Sequence, residues 1–118
     1  MLKKISNIGD CGITCDFGDE VDKKTNKEVI KLFNFIQESV KNKKIKGILN
    51  FTPSYNKLII NFDLGEVKSG EVIEFIKSNN YSETVFSEKS KLVEIPICYD
   101  EEFALDIKRL EEKTKLNF

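Results

Sequence analysis

Val29, Leu32, Phe33, Ile36 and Val40 recur at i, i+3, i+4, i+7 and i+11, which places all five on one face of a helix. Asp22 stands where an N-cap belongs, and the lysines at 41, 43 and 44 suit the negative end of a helix dipole, so a helix is predicted over about 23–43. A helix with one apolar face needs a flat apolar surface to lie on. Period-two alternation on either side supplies it. Cys11, Ile13, Cys15 and Phe17 share one strand face, Ile45, Gly47, Leu49 and Phe51 a second, and Leu58, Ile60 and Phe62 a third. Leu2 to Ile8 is a weaker strand that ends at the turn signal Gly9-Asp10. A second helix is expected from Ser69 to Ser78, burying Val72, Ile73 and Ile76 and stopping at Asn79-Asn80. The order β-β-α-β-β-α defines an α+β class, a two-layer sandwich whose sheet is antiparallel or mixed and carries its helices on one face.

This pattern fills residues 1–80, an expected α/β N-terminal domain. The polar stretch 81–91 is read as a linker. Residues 92–99 then form an extended strand with Pro96 inside it, followed by a helix over 100–116 with a thin apolar stripe. Proline cannot donate to a ladder, so that strand belongs at an edge. Val93, Ile95, Ile97, Tyr99, Phe103, Ile107 and Leu110 are each worth roughly 1.5–3 kcal/mol when fully buried. The tail at 92–116 is therefore expected to seek cover, through a homodimer or on its own sheet edge.

Composition narrows function. Of 118 residues, 40% are hydrophobic and 33% charged, a globular balance. Lys+Arg 19 against Asp+Glu 20 leaves a net charge of −1, which supplies no basic field for nucleic acid or a membrane surface. No apolar run is long enough to span a bilayer, and Met1-Leu2-Lys3-Lys4 leads into polar residues rather than a secretory signal, so a cytoplasmic location is expected. Histidine is absent, which removes Ser-His-Asp triads, Cys-His dyads and His-bearing zinc sites. Arg109 is the single arginine, so bidentate anion clamps are scarce.

Candidate motifs are few. Cys11 and Cys15, four apart on a strand, stand about 13 Å from each other at ~3.3 Å per residue, too far for a disulfide or a shared metal. Cys11, Cys15 and Cys98 are read as core thiols. Asp10, Asp16, Asp19, Glu20 and Asp22 are acidic enough to suggest acid–base work or a divalent cation, but no calcium-loop pattern occurs, and solvated charge with helix capping accounts for them. Lys23, Lys24, Lys27 and Lys31 are interleaved with Asp22 and Glu28 and read as a solvated face. No phosphate loop is present. The segment Thr52-Pro53-Ser54-Tyr55-Asn56 is a loop rather than a tight hairpin turn, placing Ser54 and Tyr55 at a tip beside a strand that ends in Asp63. Tyr55 either covers the core or forms a binding lip.

Four phrases in order carry a family resemblance: Gly9-Asp10 with Asp16-Phe17-Gly18-Asp19-Glu20-Val21-Asp22; Thr52-Pro53-Ser54-Tyr55-Asn56-Lys57-Leu58; Asn61-Phe62-Asp63; and Ile95-Pro96-Ile97-Cys98-Tyr99 with Glu102-Phe103-Ala104-Leu105-Asp106-Ile107. Together they resemble the N-terminal half of the 5-oxoprolinase B subunit, the family also called allophanate hydrolase subunit 1 or KipI-type carboxyltransferase-domain proteins. The sequence departs from the family pattern at Asp100-Glu101 and Ala104-Leu105, where glycines and a proline are usual, and at Asn56, where an arginine is usual.

The resemblance implies a cyclophilin-like second domain, absent from this chain, that the 92–118 segment would lead into. It implies a component of an ATP-dependent 5-oxoprolinase-like amide hydrolase, contributing assembly and one wall of a site and inactive alone. Its expected partners are the A and C subunits of 5-oxoprolinase, the C subunit most directly. The alternative is a protein-binding module of a sensor histidine kinase inhibitor. The residues expected to touch substrate or partner are Pro53, Ser54, Tyr55, Asp63, Tyr99 and Asp106, with no catalytic residue and no metal ligand. No cofactor is expected on this chain, ATP being used by the complex.

Overall fold

The computed structural model describes residues 2–83, 93–98, 100 and 102–116. It divides into two compact units, Met1–Glu88 and Lys89–Phe118. The first unit runs β1 (Lys4–Ile8), β2 (Gly12–Asp16), α1 (Lys23–Lys41), β3 (Ile48–Pro53), β4 (Lys57–Phe62) and α2 (Ser69–Ser78), closing on a 3-10 turn at Tyr81–Glu83. The four strands form one antiparallel sheet in the order β1-β2-β4-β3. This is the expected α+β sandwich.

One core joins the sheet to its helices. Ile13, Cys15 and Phe17 from the β2 region, Leu58, Ile60 and Phe62 from β4, Val29, Leu32 and Ile36 from α1, and Val72 and Ile76 from α2 form a single buried cluster. Phe35 of α1 stacks on Phe75 of α2 with ring centroids 5.7 Å apart, and Phe33 packs at a tilt against Phe51 of β3 at 5.2 Å. Burial of side chains this size contributes roughly 1.5–3 kcal/mol each, which is what holds two helices to one sheet face.

Asp22 caps α1 as expected. Its Oδ1 accepts from the Lys24 and Thr25 amides at 2.7 and 2.9 Å, and its Oδ2 from the Thr25 hydroxyl at 2.8 Å. The start of α2 is closed differently: the Glu71 carboxylate reaches back to accept from the Lys68 amide at 2.9 Å.

Several expectations are corrected. Leu49 does not share a face with Phe51: it is 69% exposed, while Ile48 and Phe51 pack on the core. The cause is a register shift in β3 between Ile48 and Asn50, preceded by Gly47 at φ +72°, so the alternation read through 45–51 breaks. Cys11 is exposed, because it belongs to the Gly9–Cys11 turn rather than to β2. Cys98 is also exposed. The hairpin after β3 is tighter than expected. Thr52 and Pro53 stay in the strand, Ser54 N–H donates to Lys57 O at 2.8 Å, and only Tyr55 and Asn56 lie between. Pro53 is tolerated there because β3 is an edge strand.

In the second unit residues 93–98 form no strand, and Val93, Ile95 and Ile97 are 67%, 75% and 67% exposed. The last helix is shorter than expected, α3 (Ile107–Thr114). Before it, turns close through Phe103 N–H and Ala104 N–H on Asp100 O, and Asp106 holds a non-helical ψ of 0°.

Candidate functional site

The end of β2, the β3–β4 hairpin tip and the first turns of α1 are tied into one end of the sandwich. Phe17 N–H donates to Asn56 O at 2.9 Å, which anchors the tip to the chain leaving β2. Asp16 Oδ1 accepts from Gly18 N–H at 2.8 Å and from Lys57 Nζ at 3.1 Å. The side chain of Asn26, one turn into α1, donates to Tyr55 O at 3.2 Å and to Ser54 O at 3.4 Å. The hairpin tip is thus pinned from two sides, by the chain leaving β2 and by α1, while its aromatic side chain is left out: Tyr55 is 68% exposed. It does not cover the core.

Two hollows flank this end. The smaller, about 170 Å³, is lined by Val21, Asp22, Lys23, Asn26 and Tyr55, and Val21 is itself 65% exposed. The larger, about 530 Å³, is lined by Leu2, Lys3, Phe17, Glu20, Asp22, Lys24, Thr25 and Glu28. Asp22 borders both.

The electrostatics of this end are settled by hydrogen bonds. The Thr25 amide and hydroxyl hold the Asp22 carboxyl below the usual carboxylate range. The Gly18 amide, with the Lys57 ammonium second, does the same to Asp16. Both acids are ionised at neutral pH and engaged in structure, so neither is poised as a general acid or base. Burial pushes the Cys15 thiol up to about 12, which removes it as a nucleophile. Among the described residues no group of three acidic, Cys or His side chains converges to hold a metal ion. What the arrangement offers is an exposed apolar and aromatic pair, Val21 and Tyr55, beside charged walls.

Within the first unit the expected site residues do not gather at one place. Pro53, Ser54 and Tyr55 share the tip. Asp63 lies at the far end of β4, where its Oδ1 accepts from Gly65 N–H at 2.8 Å and its carbonyl from the Glu66 and Val67 amides at 3.0 Å. That is a turn-forming role. Asp106, in the second unit, precedes α3 and pairs with Arg109 at 3.1 Å. Tyr99 lies outside the described residues. Sequence reasoning missed Asn26, whose polarity reads as an ordinary exposed helix position until the tip is seen beside it. Val21 sits within a quoted phrase, but nothing in its spacing marks it as half of an exposed apolar pair.

The fold and the phrases at this end define a class, and comparison with known proteins identifies it. The family model of the carboxyltransferase domain, subdomain C and D, matches residues 3–118, and the chain belongs to that family. Among curated proteins it is similar to the 5-oxoprolinase B subunit of Bacillus subtilis (strain 168), 26% identical over 125 aligned positions that cover 97% of this chain and 49% of the relative. Among solved structures it is similar to the conserved uncharacterized protein PH0987 from Pyrococcus horikoshii, with a TM-score of 0.55, 25% identity, and coverage of 97% of this chain and 50% of that one. TTHA0988 is similar with a TM-score of 0.54 and 25% identity over 88% of this chain and 20% of that one. The chain spans about half the length of the curated relative it matches. Among the described residues no helix is long and apolar enough to cross a membrane.

Proposed function

We propose that this chain is a non-catalytic portion of an ATP-dependent, 5-oxoprolinase-like amide hydrolase complex, supplying assembly contacts and one wall of a site. The observation that carries this reading is the similarity to the 5-oxoprolinase B subunit along 97% of the chain. The chemistry agrees with a wall: histidine is absent, and Asp16 and Asp22 are committed to backbone and side-chain bonds. The Val21–Tyr55 lip is the contact surface, with Pro53 and Ser54 setting the tip. Residues 92–118 lead toward a second, cyclophilin-like domain, a role supported by the exposure of Phe103 at 65% and Leu105 at 92%.

The test is co-purification with the A and C subunits of 5-oxoprolinase followed by 5-oxoproline-dependent ATP hydrolysis. Turnover that requires this chain supports the reading. Equal turnover from the other two components without it overturns the reading. The exposed apolar lip also favours a second reading, a module that binds and inhibits a sensor histidine kinase. Autophosphorylation assayed with and without the chain separates the two.

A further inference from the structure

The far end of the first unit, away from the hairpin tip, carries a second charged corner. Lys41, Lys43, Lys44 and Lys46 put four of the chain's 19 basic residues into six positions with no acid among them, in a molecule whose net charge is −1. All four are exposed, and among the described residues none of their ammonium groups forms an ion pair. A helix C-terminus attracts positive charge, but that attraction fades beyond the last turn. It accounts for Lys41 in α1 and not for Lys44 or Lys46, which follow the helix.

The backbone at this corner is fixed. Lys43 N–H donates to Val40 O at 3.0 Å and Lys44 N–H to Ser39 O at 2.8 Å, the paired bonds of a Schellman ending. Such an ending needs left-handed backbone at the first residue past the cap, and Lys43 supplies it at φ +55°. Glycine is the usual residue there because it has no Cβ to clash. A lysine held in that conformation favours charge over stability, the pattern of a residue that acts on something outside the fold.

Below these lysines lies a hollow of about 430 Å³. Val40, Ile45 and Ile48, all packed on the core, give it an apolar floor, and Lys43, Lys46 and Glu66 stand around it. We propose that this corner docks an acidic segment of another protein, with one apolar side chain entering the hollow and flanking carboxylates meeting Lys43 and Lys46. Lys41 and Lys44 widen the positive field, so charge complementarity sets the sign of the partner. The Glu66 carboxylate and the apolar floor argue against a compact polyanion such as phosphate, which would meet a like charge and nothing to bond. The recessed floor argues against a membrane, since a lipid surface takes up apolar side chains that project. The bond from Asp63 N–H to Gly47 O, 2.8 Å, ties this corner to the far end of β4, so a docked segment leaves Val21 and Tyr55 uncovered.

Fluorescence anisotropy of a labelled peptide, Asp-Glu-Leu-Glu-Asp, titrated with the full chain reads the docking directly. Binding should weaken as salt rises, because exposed charges are screened. It should weaken several-fold when the leucine of the peptide is replaced by serine, which has nothing to bury. Lys43→Gln with Lys46→Gln should weaken it about tenfold, as expected for the loss of two exposed ion pairs. Lys43→Gly separates the two aspects of that residue, since it removes the charge and relieves the left-handed backbone. It should bind the peptide several-fold more weakly while unfolding at an equal or higher urea midpoint. A wild-type chain that binds no peptide overturns the proposal. So does undiminished binding by the folded double variant or by Lys43→Gly, and so does equal binding of the serine peptide. Tighter binding to phosphatidylserine vesicles than to the peptide, lost in the double variant, makes the corner a membrane contact and likewise overturns it. None of these readouts involves 5-oxoproline turnover, so this inference and the proposed function stand or fall separately.

Discussion

Asp22 closes α1 with one carboxylate, accepting from two amides and a hydroxyl at once. Because those donors, and the Gly18 amide with Lys57 at Asp16, favour the ionised forms, both carboxyls titrate below the unfolded value of about 3.9. Between the folded and unfolded values the folded chain binds fewer protons, so this stabilisation is full above the unfolded value and is lost as pH falls through the folded one. Asp22→Asn keeps a cap acceptor and drops the charge. Its denaturation midpoint should therefore fall less steeply than wild type below about pH 4. Parallel acid limbs for the two proteins would show that Asp22 is not titrating in that window. Deeper in, Ile60 is wholly buried at the centre of β4, and Ile60→Ala should cost about 2–5 kcal/mol in urea unfolding, transfer and cavity together. A loss below about 1 kcal/mol would mean the core collapses onto the gap.

At the level of elements, what can be read from the residues is what repeats. The stripe from Val29 to Val40 and the Leu58-Ile60-Phe62 alternation are long enough that one face is forced, and α1 and β4 follow them. β3 is the instructive failure. Its alternation is broken by a backbone event at Gly47 and Leu49 that leaves no periodic trace, since a bulge is one residue long. Gly47 is needed for that event. At φ +72° an added Cβ meets Val67 Cγ1 at 2.8 Å. Left-handed backbone alone costs an L-residue roughly 1–2 kcal/mol, so Gly47→Ala should destabilise by more than that, measured by denaturant midpoint. The candidate site is half legible for a related reason. Pro53 and Tyr55 announce a tip, whereas the bonds from Asn26 cross 28 and 29 positions of sequence and no local rule reaches that far. Asn26→Ala should leave the melting temperature nearly unchanged, as loss of exposed hydrogen bonds does, yet speed amide exchange at the hairpin tip. Unaltered exchange there would show that the Phe17–Asn56 bond holds the tip by itself.

For the whole molecule the decisive contrast lies in where burial ends. Every buried apolar side chain among the described residues falls between Ile13 and Ile76, and all of them form one cluster. The second unit has no buried residue in α3, and Val93, Ile95, Ile97, Phe103, Leu105 and Leu116 are all more than half exposed. The first unit holds a complete buried cluster of its own, so that cluster is expected to sustain cooperative unfolding. A chain ending at Glu88 should unfold in one transition with a midpoint close to that of the full chain, and its near-ultraviolet signal from the Phe33–Phe51 and Phe35–Phe75 pairs should persist. The complementary peptide, residues 89–118, should show little helix alone, because an eight-residue helix such as Ile107–Thr114 lies below the length that is stable in water without a packing partner. A truncated first unit that loses its sharp transition would mean that residues beyond Glu88 complete the core. A strongly helical 89–118 peptide would mean that the second unit carries its own source of order.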